Sequence, residues 1–379
     1  MGSTSGKEEG IDYDEVFAPV ARIEAIRIFL AYASYMGFMV YQIDVKSAFL
    51  YGQIEEEVYV CQPLGFEDPD HPDKVYKKEL CDEFEKLMKD KFQMSSMGEL
   101  TFFLGLQVQQ KKKGIFISQD KYVNEILRKF NYTNVKYAST LTDLEKPLVQ
   151  DGDVADVYKH LYRSMIVSLM YLTASRPDIM FVVYACARFQ VSPKTSHLLA
   201  VKRIFRYLKG KPSLGLWYSK DSSLELLAYT DSGYAGATQD RNSTTRGCQF
   251  LGNRLVSWKC KKQTVVVTST TEAEYVAAAS CYGQVLWIQN QLLDYGYNFM
   301  DTVIYIDNTS TICIIENPIQ HSKIKHIEIR HHFIRDCNAK KVDSMGKIDT
   351  QHNVADLLTK GFDAGRFQYL VSSIGMLNP

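Results

Sequence analysis

One strand and the carboxylate at its end constrain this chain more than any other feature. Residues Leu224–Asp231 (LELLAYTD) are typical of a β-strand, and Ser232–Gly233 predicts a turn directly after Asp231. Three more acids are predicted in comparable places, at the end of a strand or the start of a helix: Glu274, Asp307 and Asp356. Because open α/β sheets place their ligand sites at the carboxyl ends of strands, the four acids predict one shared site.

The residues around two of these acids predict where each one lies. Ser269–Glu272 (STTE) is a capping box, so Glu274 falls in the first turns of a helix. Thr302–Ile306 predicts a strand that ends at Asp307, and Asn308 is a candidate N-cap for the helix that follows.

Asp356 is predicted at the start of a short helix, after a weak strand at Lys347–Ile348. Taken singly, each acid is explained as well by turn chemistry or by the helix dipole. The order of the elements favours a shared site, because a meander of three strands separates the first acid from the second. These strands are predicted at Gly247–Leu251, Leu255–Lys259 and Thr264–Thr268.

Several motifs in this part of the chain carry a family resemblance. Four of them, in this order, resemble those of a retroelement ribonuclease H: Tyr229–Ser232 (YTDS), Glu274–Ala278 (EYVAA), Ile306–Asn308 (IDN) and Asn353–Asp356 (NVAD). Three others resemble the copia class of plant retrotransposon polyproteins: Arg241–Thr245 (RNSTT), Ser269–Tyr275 (STTEAEY) and Lys325–Arg335 (KHIEIRHHFIR). The resemblance covers essentially the whole chain and implies an α/β fold, with a ribonuclease H-like mixed sheet flanked by helices beside an α+β palm remnant.

The resemblance also implies a metal site and a substrate. Asp231, Glu274, Asp307 and Asp356 would bind two Mg²⁺ or Mn²⁺ ions, with Asp231 bridging them, and the substrate would be an RNA–DNA hybrid. The chemistry agrees, because two ions about 3.5–4 Å apart supply both the activated water and the stabilised leaving oxygen that phosphodiester cleavage needs. Mg²⁺ prefers carboxylate ligands, and converging carboxylates repel one another unless cations lie between them.

The N-terminal part resembles a copia-type reverse transcriptase. Tyr41–Leu50 (YQIDVKSAFL) is similar to the first catalytic motif. This similarity implies that Asp44 binds Mg²⁺ and that Phe49 selects nucleotides by their sugar. After Val75–Lys78 the chain passes through Glu79 into sequence that in the family lies beyond the Tyr-x-Asp-Asp motif, and no Asp-Asp pair occurs in the 379 residues. We expect no polymerase activity, because two-metal phosphoryl transfer needs more than one acid.

These resemblances and one polar stretch divide the chain into four predicted parts. They are an N-terminal palm remnant (1–80), a C-terminal palm and thumb remnant (81–140), a helical connection (141–214) and a ribonuclease H-like domain (215–379). The linker is predicted at Ala138–Asp156.

Periodicity predicts several helices and strands before the last domain. The helices are expected at Ile23–Tyr35, Cys81–Phe92, Lys121–Asn131, Val157–Ala174, Asp178–Phe189 and Pro193–Leu208, the last with Ser192 as its N-cap and Gly210 just past its end. A strand is expected at Met39–Val45, and a hairpin pairs Phe102–Gln109 with Gly114–Ser118.

Four cations on one face of the helix at Pro193–Leu208 are candidates for nucleic-acid binding: Lys202, Arg203, Arg206 and Lys209. Their spacing of three and four residues predicts a basic stripe that follows the backbone of the hybrid. A solvated helix face explains the same stripe equally well.

Composition excludes several classes of protein. Lys plus Arg equals Asp plus Glu at 44 each, so any contact with nucleic acid is predicted to be local. The eight cysteines form no Cys-x-x-Cys pair, which favours reduced thiols over disulfides or a zinc knuckle. No apolar run approaches the roughly 18 residues of a membrane span. We therefore expect a cytoplasmic or nuclear protein without a membrane partner, and no pattern predicts its oligomeric state.

Two other functions stay open. One is a catalytically silent retroelement remnant that at most binds nucleic acid, and the other is a phosphatase or integrase with the same layered core. Four histidines near the C-terminus lack a recognised zinc spacing, although one of them is a candidate proton shuttle: His321, His326, His331 and His332.

Overall fold

The computed structural model describes residues 22–45, 86, 94–141, 157–234, 242–317, 327–340, 343–359 and 361–378. Several of the sequence predictions therefore fall wholly or largely outside the described residues, among them His321, His326 and most of the linker at Ala138–Asp156. Phe49 and the joint at Glu79 are outside, and the helix expected at Cys81–Phe92 is described at Lys86 alone.

Helices and strands occur mostly in runs of several along the described chain. The α-helices are α1 (Ile23–Met36), α2 (Asp120–Lys129), α3 (Lys159–Leu172), α4 (Pro177–Ala187), α5 (Thr195–Gly210), α6 (Thr270–Leu293), α7 (Thr309–Glu316), α8 (Phe333–Ala339) and α9 (Ala364–Ser373). Short 3₁₀ helices lie at Ile329–His331, Thr350–His352 and Val354–Leu358.

The strands are β1 (Tyr41–Val45), β2 (Met94–Glu99), β3 (Phe102–Phe103), β4 (Leu106–Lys111), β5 (Gly114–Ser118), β6 (Gly215–Ser219), β7 (Leu226–Gly233), β8 (Thr244–Leu251), β9 (Arg254–Lys262), β10 (Thr302–Ile306), β11 (Asp343–Lys347) and β12 (Met376–Leu377).

A five-stranded mixed sheet organises the C-terminal half, with the strand order β11-β10-β7-β8-β9. β7, β8 and β9 form an antiparallel meander, whereas β10 and β11 run parallel to β7. α6 lies against β7 and β8 and is itself covered by α7 and α8, which explains why its residues are buried on nearly every side. The predicted α/β fold, a mixed sheet flanked by helices, is confirmed.

The third strand of the predicted meander, Thr264–Thr268, is wrong, because these residues form no strand. The β8–β9 ladder ends where the N–H of Gln263 donates to Ser243 O at 2.8 Å. Thr268 is then bound through its N–H and its hydroxyl by the Glu272 carboxylate. The β-branched run therefore leads into α6, since its polar groups bind the start of that helix.

A second five-stranded sheet has the order β12-β6-β5-β4-β3. The predicted hairpin is confirmed as β4 and β5, with a break before β4 at Leu104 and Gly105, whose φ angles are 46° and 80°. β6, which the prediction assigned to the last domain, pairs with β5, and β12 pairs with β6. Strands from distant parts of the sequence therefore complete this sheet.

α1 confirms the helix predicted at Ile23–Tyr35 and lies between the two sheets, in contact with β5, β6 and β9. The guanidinium of Arg27, which is buried, lies 3.6 Å from the centre of the Trp258 ring and donates to Ala174 O at 2.6 Å. Ser34 Oγ donates to Tyr218 O at 2.7 Å. The N-terminal helix is thus part of the packing of the C-terminal half.

The helices predicted at Lys121–Asn131, Val157–Ala174 and Asp178–Phe189 are confirmed as α2, α3 and α4. The start of α5 differs from its prediction. Its N-cap is Lys194, whose N–H donates to Nδ1 of His197 at 3.1 Å, so Ser192 and Pro193 precede the helix. Gly210 is the last helical residue of α5. Serine is the preferred N-cap residue, but the hydrogen bond of the buried His197 to Lys194 fixes the first turn two residues later.

None of the helices in the described ranges has both the length and the apolar character needed to cross a bilayer. The six cysteines within those ranges are all free thiols.

Candidate active site

Asp231 lies within β7, which continues for two more residues. The turn predicted at Ser232–Gly233 is therefore wrong, because the β7–β8 ladder pairs Asp231 with Arg246 and extends to the pair of Gly233 with Thr244. Asp231 is 7% exposed. Pairing with β8 continues past Asp231, which fixes the position of this carboxylate more firmly than a turn would.

Glu274 extends from the start of α6 toward β7. Its Oε1 atom accepts a hydrogen bond from the N–H of Ser232 at 2.8 Å. The predicted cap is present, since Ser269 Oγ accepts from the N–H of Glu272 at 3.2 Å. The Glu272 carboxylate binds Thr268 rather than the N–H of Ser269. This cap sets where α6 begins and so brings Glu274, two residues further on, against the end of β7.

Asp307 directly follows β10, as predicted. Asn308 caps α7, with its side chain accepting from the N–H of Thr311 at 3.1 Å. Asp307 Oδ2 accepts from the hydroxyl of Thr350 at 3.0 Å. One oxygen of this half-buried carboxylate is thus held by the segment after β11.

Three of the four predicted carboxylates converge. Asp231, Glu274 and Asp307 each offer an oxygen, and these oxygens all lie within 4.8 Å of one another. They come from a central strand, the next helix and a neighbouring parallel strand. The end of the mixed sheet therefore carries an acidic triad, consisting of Asp231, Glu274 and Asp307.

Asp356 is buried in the 3₁₀ helix at Val354–Leu358. It is not one of the acids whose oxygens all lie within 4.8 Å of one another. Asn353 caps this helix through Ala355 and donates to Thr230 O at 3.0 Å, which ties the helix to β7 beside Asp231. The charge of Asp356 acts on Asp231, whose pKa it raises. The fourth acid is thus a neighbour of the triad.

The strand before Asp356 forms although its residues are mostly polar. Asp343, which is buried, accepts at Oδ1 from Gln289 Nε2 at 2.7 Å and from the N–H of Thr302 at 2.9 Å. β11 pairs with the whole of β10 in parallel register. Hydrogen bonds of a buried carboxylate thus fix a strand for which hydrophobic periodicity gave little signal.

Burial and like charges make the triad costly to ionise. The pKa of Asp231 is raised to about 6, chiefly by burial; Arg246 lowers this pKa, whereas Asp356 and Asp307 raise it. The pKa of Glu274 is raised well above its ordinary range by burial, then by the charges of Asp231 and Asp307. Carboxylates forced together in this way are stabilised by a cation between them.

The triad fits a divalent cation by its own chemistry. Its ligand atoms are all carboxylate oxygens, the donors that Mg²⁺ and Mn²⁺ prefer. Oε2 of Glu274 is buried and has no hydrogen-bond partner among the described residues. A buried carboxylate oxygen without a partner is expected where a ligand completes its interactions.

Arg246 is the functional residue that sequence reasoning missed. It is 4% exposed, and its Nη1 lies 3.4 Å from Asp231 Oδ2, whereas its Nη2 donates to Thr359 O at 2.9 Å. Its place beside the acid follows from the β7–β8 register, which pairs it with Asp231. No local pattern around Arg246 indicates this pairing.

The polymerase remnant has a different geometry. Asp44 lies in β1, which pairs with β2 as a two-stranded sheet within the described residues and has Ser95 as the pairing partner of Asp44. The next pair along this ladder is Ile43 with Ser96.

Three of the four candidate nucleic-acid-binding residues on α5 bind the chain's own backbone. Arg203 donates to Thr140 O at 3.0 Å, Arg206 to Lys136 O at 2.9 Å and Lys209 to Val135 O at 2.6 Å. Lys202 is exposed. The stripe thus fastens residues 135–140 to α5 and leaves Lys202 facing solvent.

Two of the four histidines lie in the described residues, beside α6. His332 Nδ1 is 3.0 Å from the hydroxyl of Tyr275, the residue after Glu274. His331 has its pKa lowered by burial and by Arg330, and its buried Nε2 has no hydrogen-bond partner in the described part of the chain.

The sequence matches a known family and is similar to curated polyproteins. The family described as "Reverse transcriptase (RNA-dependent DNA polymerase)" matches residues 5–81 and 77–143. The Retrovirus-related Pol polyprotein from transposon RE1 of Arabidopsis thaliana is 31% identical over 430 residues, covering 97% of this chain and 29% of that protein. That from transposon TNT 1-94 of Nicotiana tabacum is 30% identical over 445 residues, covering 98% of this chain and 33% of that protein.

Among solved structures, the N-terminal ribonuclease H domain of Rv2228c from Mycobacterium tuberculosis, fused to maltose binding protein, is similar. The TM-score is 0.25 and the identity 10%, over 40% of this chain and 99% of that chain.

The structure is that of an α/β protein with a mixed sheet flanked by helices, and the sequence matches the reverse transcriptase family over residues 5–81 and 77–143. More particularly, the chain belongs to the family of copia-type retrotransposon polyproteins. It spans about a third of the length of the curated polyproteins just described.

Proposed function

We propose that this chain is a polyprotein fragment that hydrolyses the RNA strand of RNA–DNA hybrids with the help of two divalent cations, Mg²⁺ or Mn²⁺. The convergence of Asp231, Glu274 and Asp307 within 4.8 Å carries the proposal. Three buried or half-buried carboxylates are costly to bring together, and a cation offsets that cost. Such a fragment would act where its hybrid forms, in the cytoplasm or the nucleus.

When bound, divalent cations supply an activated water and stabilise the leaving oxygen. The triad would hold them, with Asp356 as the fourth ligand that the family resemblance implies. The protein's contribution is to fix the ligands. The N–H of Ser232 holds Glu274 and the hydroxyl of Thr350 holds Asp307, so neither carboxylate needs to reorganise when cations bind.

The hybrid is the proposed partner because its A-like geometry and its 2′-hydroxyl groups distinguish the RNA strand. Lys202 is the one cation of the basic stripe that faces solvent fully, so it is the member best placed to contact a phosphate.

Polymerase activity is proposed to be absent. The family matches two segments that meet at residues 77–81, where the sequence predicted the joint. The similarity to the RE1 polyprotein extends over 430 residues although this chain has 379, so part of that protein has no counterpart here. Asp44 is the one acid of β1, and a single acid does not hold two cations.

Hydrolysis of a fluorescent RNA–DNA hybrid by the purified full chain tests the proposal. We expect cleavage of the RNA strand that requires Mg²⁺ or Mn²⁺ and spares duplex DNA. Asp231→Asn removes the central ligand and should abolish cleavage, whereas Asp221→Asn, the same change at an exposed acid, should leave it intact. A folded chain that cuts no hybrid with either ion would refute the proposal.

The second candidate is a catalytically silent remnant that at most binds nucleic acid. The contact of Arg246 with Asp231 favours it, because this guanidinium already neutralises part of the charge that would attract a cation. Calorimetric titration with MnCl₂ separates the two functions. Binding that Asp231→Asn abolishes supports the nuclease, and absence of binding supports the silent remnant.

A further inference from the structure

A buried arginine occupies one side of the acidic triad. The guanidinium of Arg246 spans from Asp231 Oδ2, at 3.4 Å, to Thr359 O, at 2.9 Å. Thr359 is the C-cap of the 3₁₀ helix that carries Asp356. Arg246 therefore lies between the central acid and the end of the helix that bears the fourth acid.

This contact leaves the two oxygens of Asp231 unequal. A carboxylate that bridges two cations offers one oxygen to each, but Oδ2 of Asp231 already faces a positive charge. A dication approaching Oδ2 would meet that guanidinium in a poorly solvated site, where like charges repel strongly. Oδ1 carries no such conflict, and the ligand atoms of Glu274 and Asp307 lie within 4.8 Å of one from Asp231.

We propose that Arg246 closes one of the two cation positions, so that the protein free of nucleic acid holds a single divalent ion between Asp231, Glu274 and Asp307. Occupation of the second position requires the guanidinium to leave Oδ2. Arg246 is thus a positioning residue that sets metal stoichiometry. This inference rests on the proposed function and deepens it.

The surroundings of Arg246 allow such a movement. Its buried Nε has no hydrogen-bond partner among the described residues, so departure from the site breaks no bond there. The space for the guanidinium exists because Gly233 has no side chain: an added Cβ would collide with Nη2 and lie 2.8 Å from Nη1. The glycine is in regular strand, so an alanine would displace the flexible end of Arg246 and leave the backbone in place.

Isothermal titration of the full chain with MnCl₂, without nucleic acid, tests the inference through the number of ions bound. We expect one ion for the natural protein. Arg246→Gln removes the charge with little change in size, and Gly233→Ala displaces the guanidinium but keeps the charge in the chain. We expect two ions for each of these variants.

The matched control is Arg188→Gln. Arg188 donates to Thr244 Oγ1 of the same strand at 3.3 Å and bonds to none of the four acids, so this variant should bind one ion. Circular dichroism checks that each variant is folded. If Arg246→Gln does not fold, Gly233→Ala carries the test alone.

The outcomes separate this inference from the function on which it rests. One ion in the natural protein and in both test variants, or two ions in all of them, would overturn the role of Arg246 and leave the nuclease proposal standing. Binding of no ion by any folded form would overturn the nuclease proposal itself.

Discussion

Two strands of this chain each carry an acid that its sequence motif assigns to metal binding, and their surroundings differ. Asp231 lies in β7, a strand between β8 and β10, with Glu274 from α6 and Asp307 after β10 close by. Asp44 lies in β1, which within the described residues pairs with β2, where Ser95 is its partner.

The difference shows what a two-cation site requires. The triad gathers its ligands from three elements spread over 77 residue positions, and each acid follows a pattern of its own. The polymerase motif contributes one acid and depends on a second segment for the others. We therefore expect that a retained catalytic motif gives no catalytic site when the segment that should supply its other acids is absent.

The largest expected effect compares the two acids directly. Glu274→Gln should slow hybrid hydrolysis by about a thousandfold, because it removes a charged ligand from the site. Asp44→Asn should leave the rate unchanged. Single-turnover cleavage of a labelled hybrid measures both. Equal losses of rate in the two variants would show that β1 shares the active site. This result would contradict the difference drawn here between the triad and Asp44.

The second effect concerns stability in metal-free buffer. The pKa of Asp231 rises from 3.8 in the unfolded chain to about 6 in the folded protein, so the folded state binds the proton more tightly. Stability should therefore fall as the pH rises through this window, by about 3 kcal/mol from Asp231 alone, and Glu274, whose pKa is also raised, adds to the fall. Urea unfolding in EDTA at successive pH values measures the decline.

The same urea unfolding series with two variants shows which residue causes the fall of stability with pH. Asp231→Asn removes one of two titrating groups, so it should make the curve shallower and raise stability at pH 7 by about 2 kcal/mol, with Glu274 responsible for the decline that is left. Asp44→Asn should preserve the curve of the natural protein. An Asp231→Asn variant with the full pH dependence would place its origin in another group.

The third effect is stabilisation by the cation. A ligand at a hundred times its dissociation constant stabilises the folded state by about 2.7 kcal/mol. We expect thermal unfolding of the natural chain to shift upward with MnCl₂ toward that limit, and Asp231→Asn to respond little. Asp307→Asn should respond partially, because Asp307 is the most exposed member of the triad.

The smallest effects separate two cations of α5. Arg203→Ala loses hydrogen bonds to the carbonyl and the hydroxyl of Thr140 and should cost about 1 kcal/mol of stability without changing hybrid affinity. Lys202→Ala should leave stability unchanged and weaken hybrid binding a few-fold, with a shallower salt dependence. Urea unfolding and fluorescence anisotropy at several salt concentrations measure the two. The reverse pattern would contradict the assignment.

Local patterns in the sequence predicted much of the mixed sheet. They also predicted the three acids that converge at its end, Asp231, Glu274 and Asp307. α1, the Ser269 cap of α6 and the strand before Asp307 follow from periodicity and capping chemistry within a few residues. The run at Thr264–Thr268 was predicted wrongly, because β-branched composition resembles a strand whether or not a partner strand is available.

Contacts between distant residues could not be predicted in this way. β6 completes a sheet with β5, which lies about a hundred residues earlier, and Arg203, Arg206 and Lys209 bind backbone carbonyls of residues 135–140. Helical spacing showed that these cations share a face, but it did not show what that face meets.

The sequence by itself determined which carboxylates could meet, because each one sits beside a strand end or a helix start that local chemistry specifies. Only the tertiary structure decided that Arg246 faces Asp231 and that Asp356 stands beside the triad. The physical reason is that strand register and helix placement depend on packing across the whole sheet, and a single step of register turns a side chain to the opposite face.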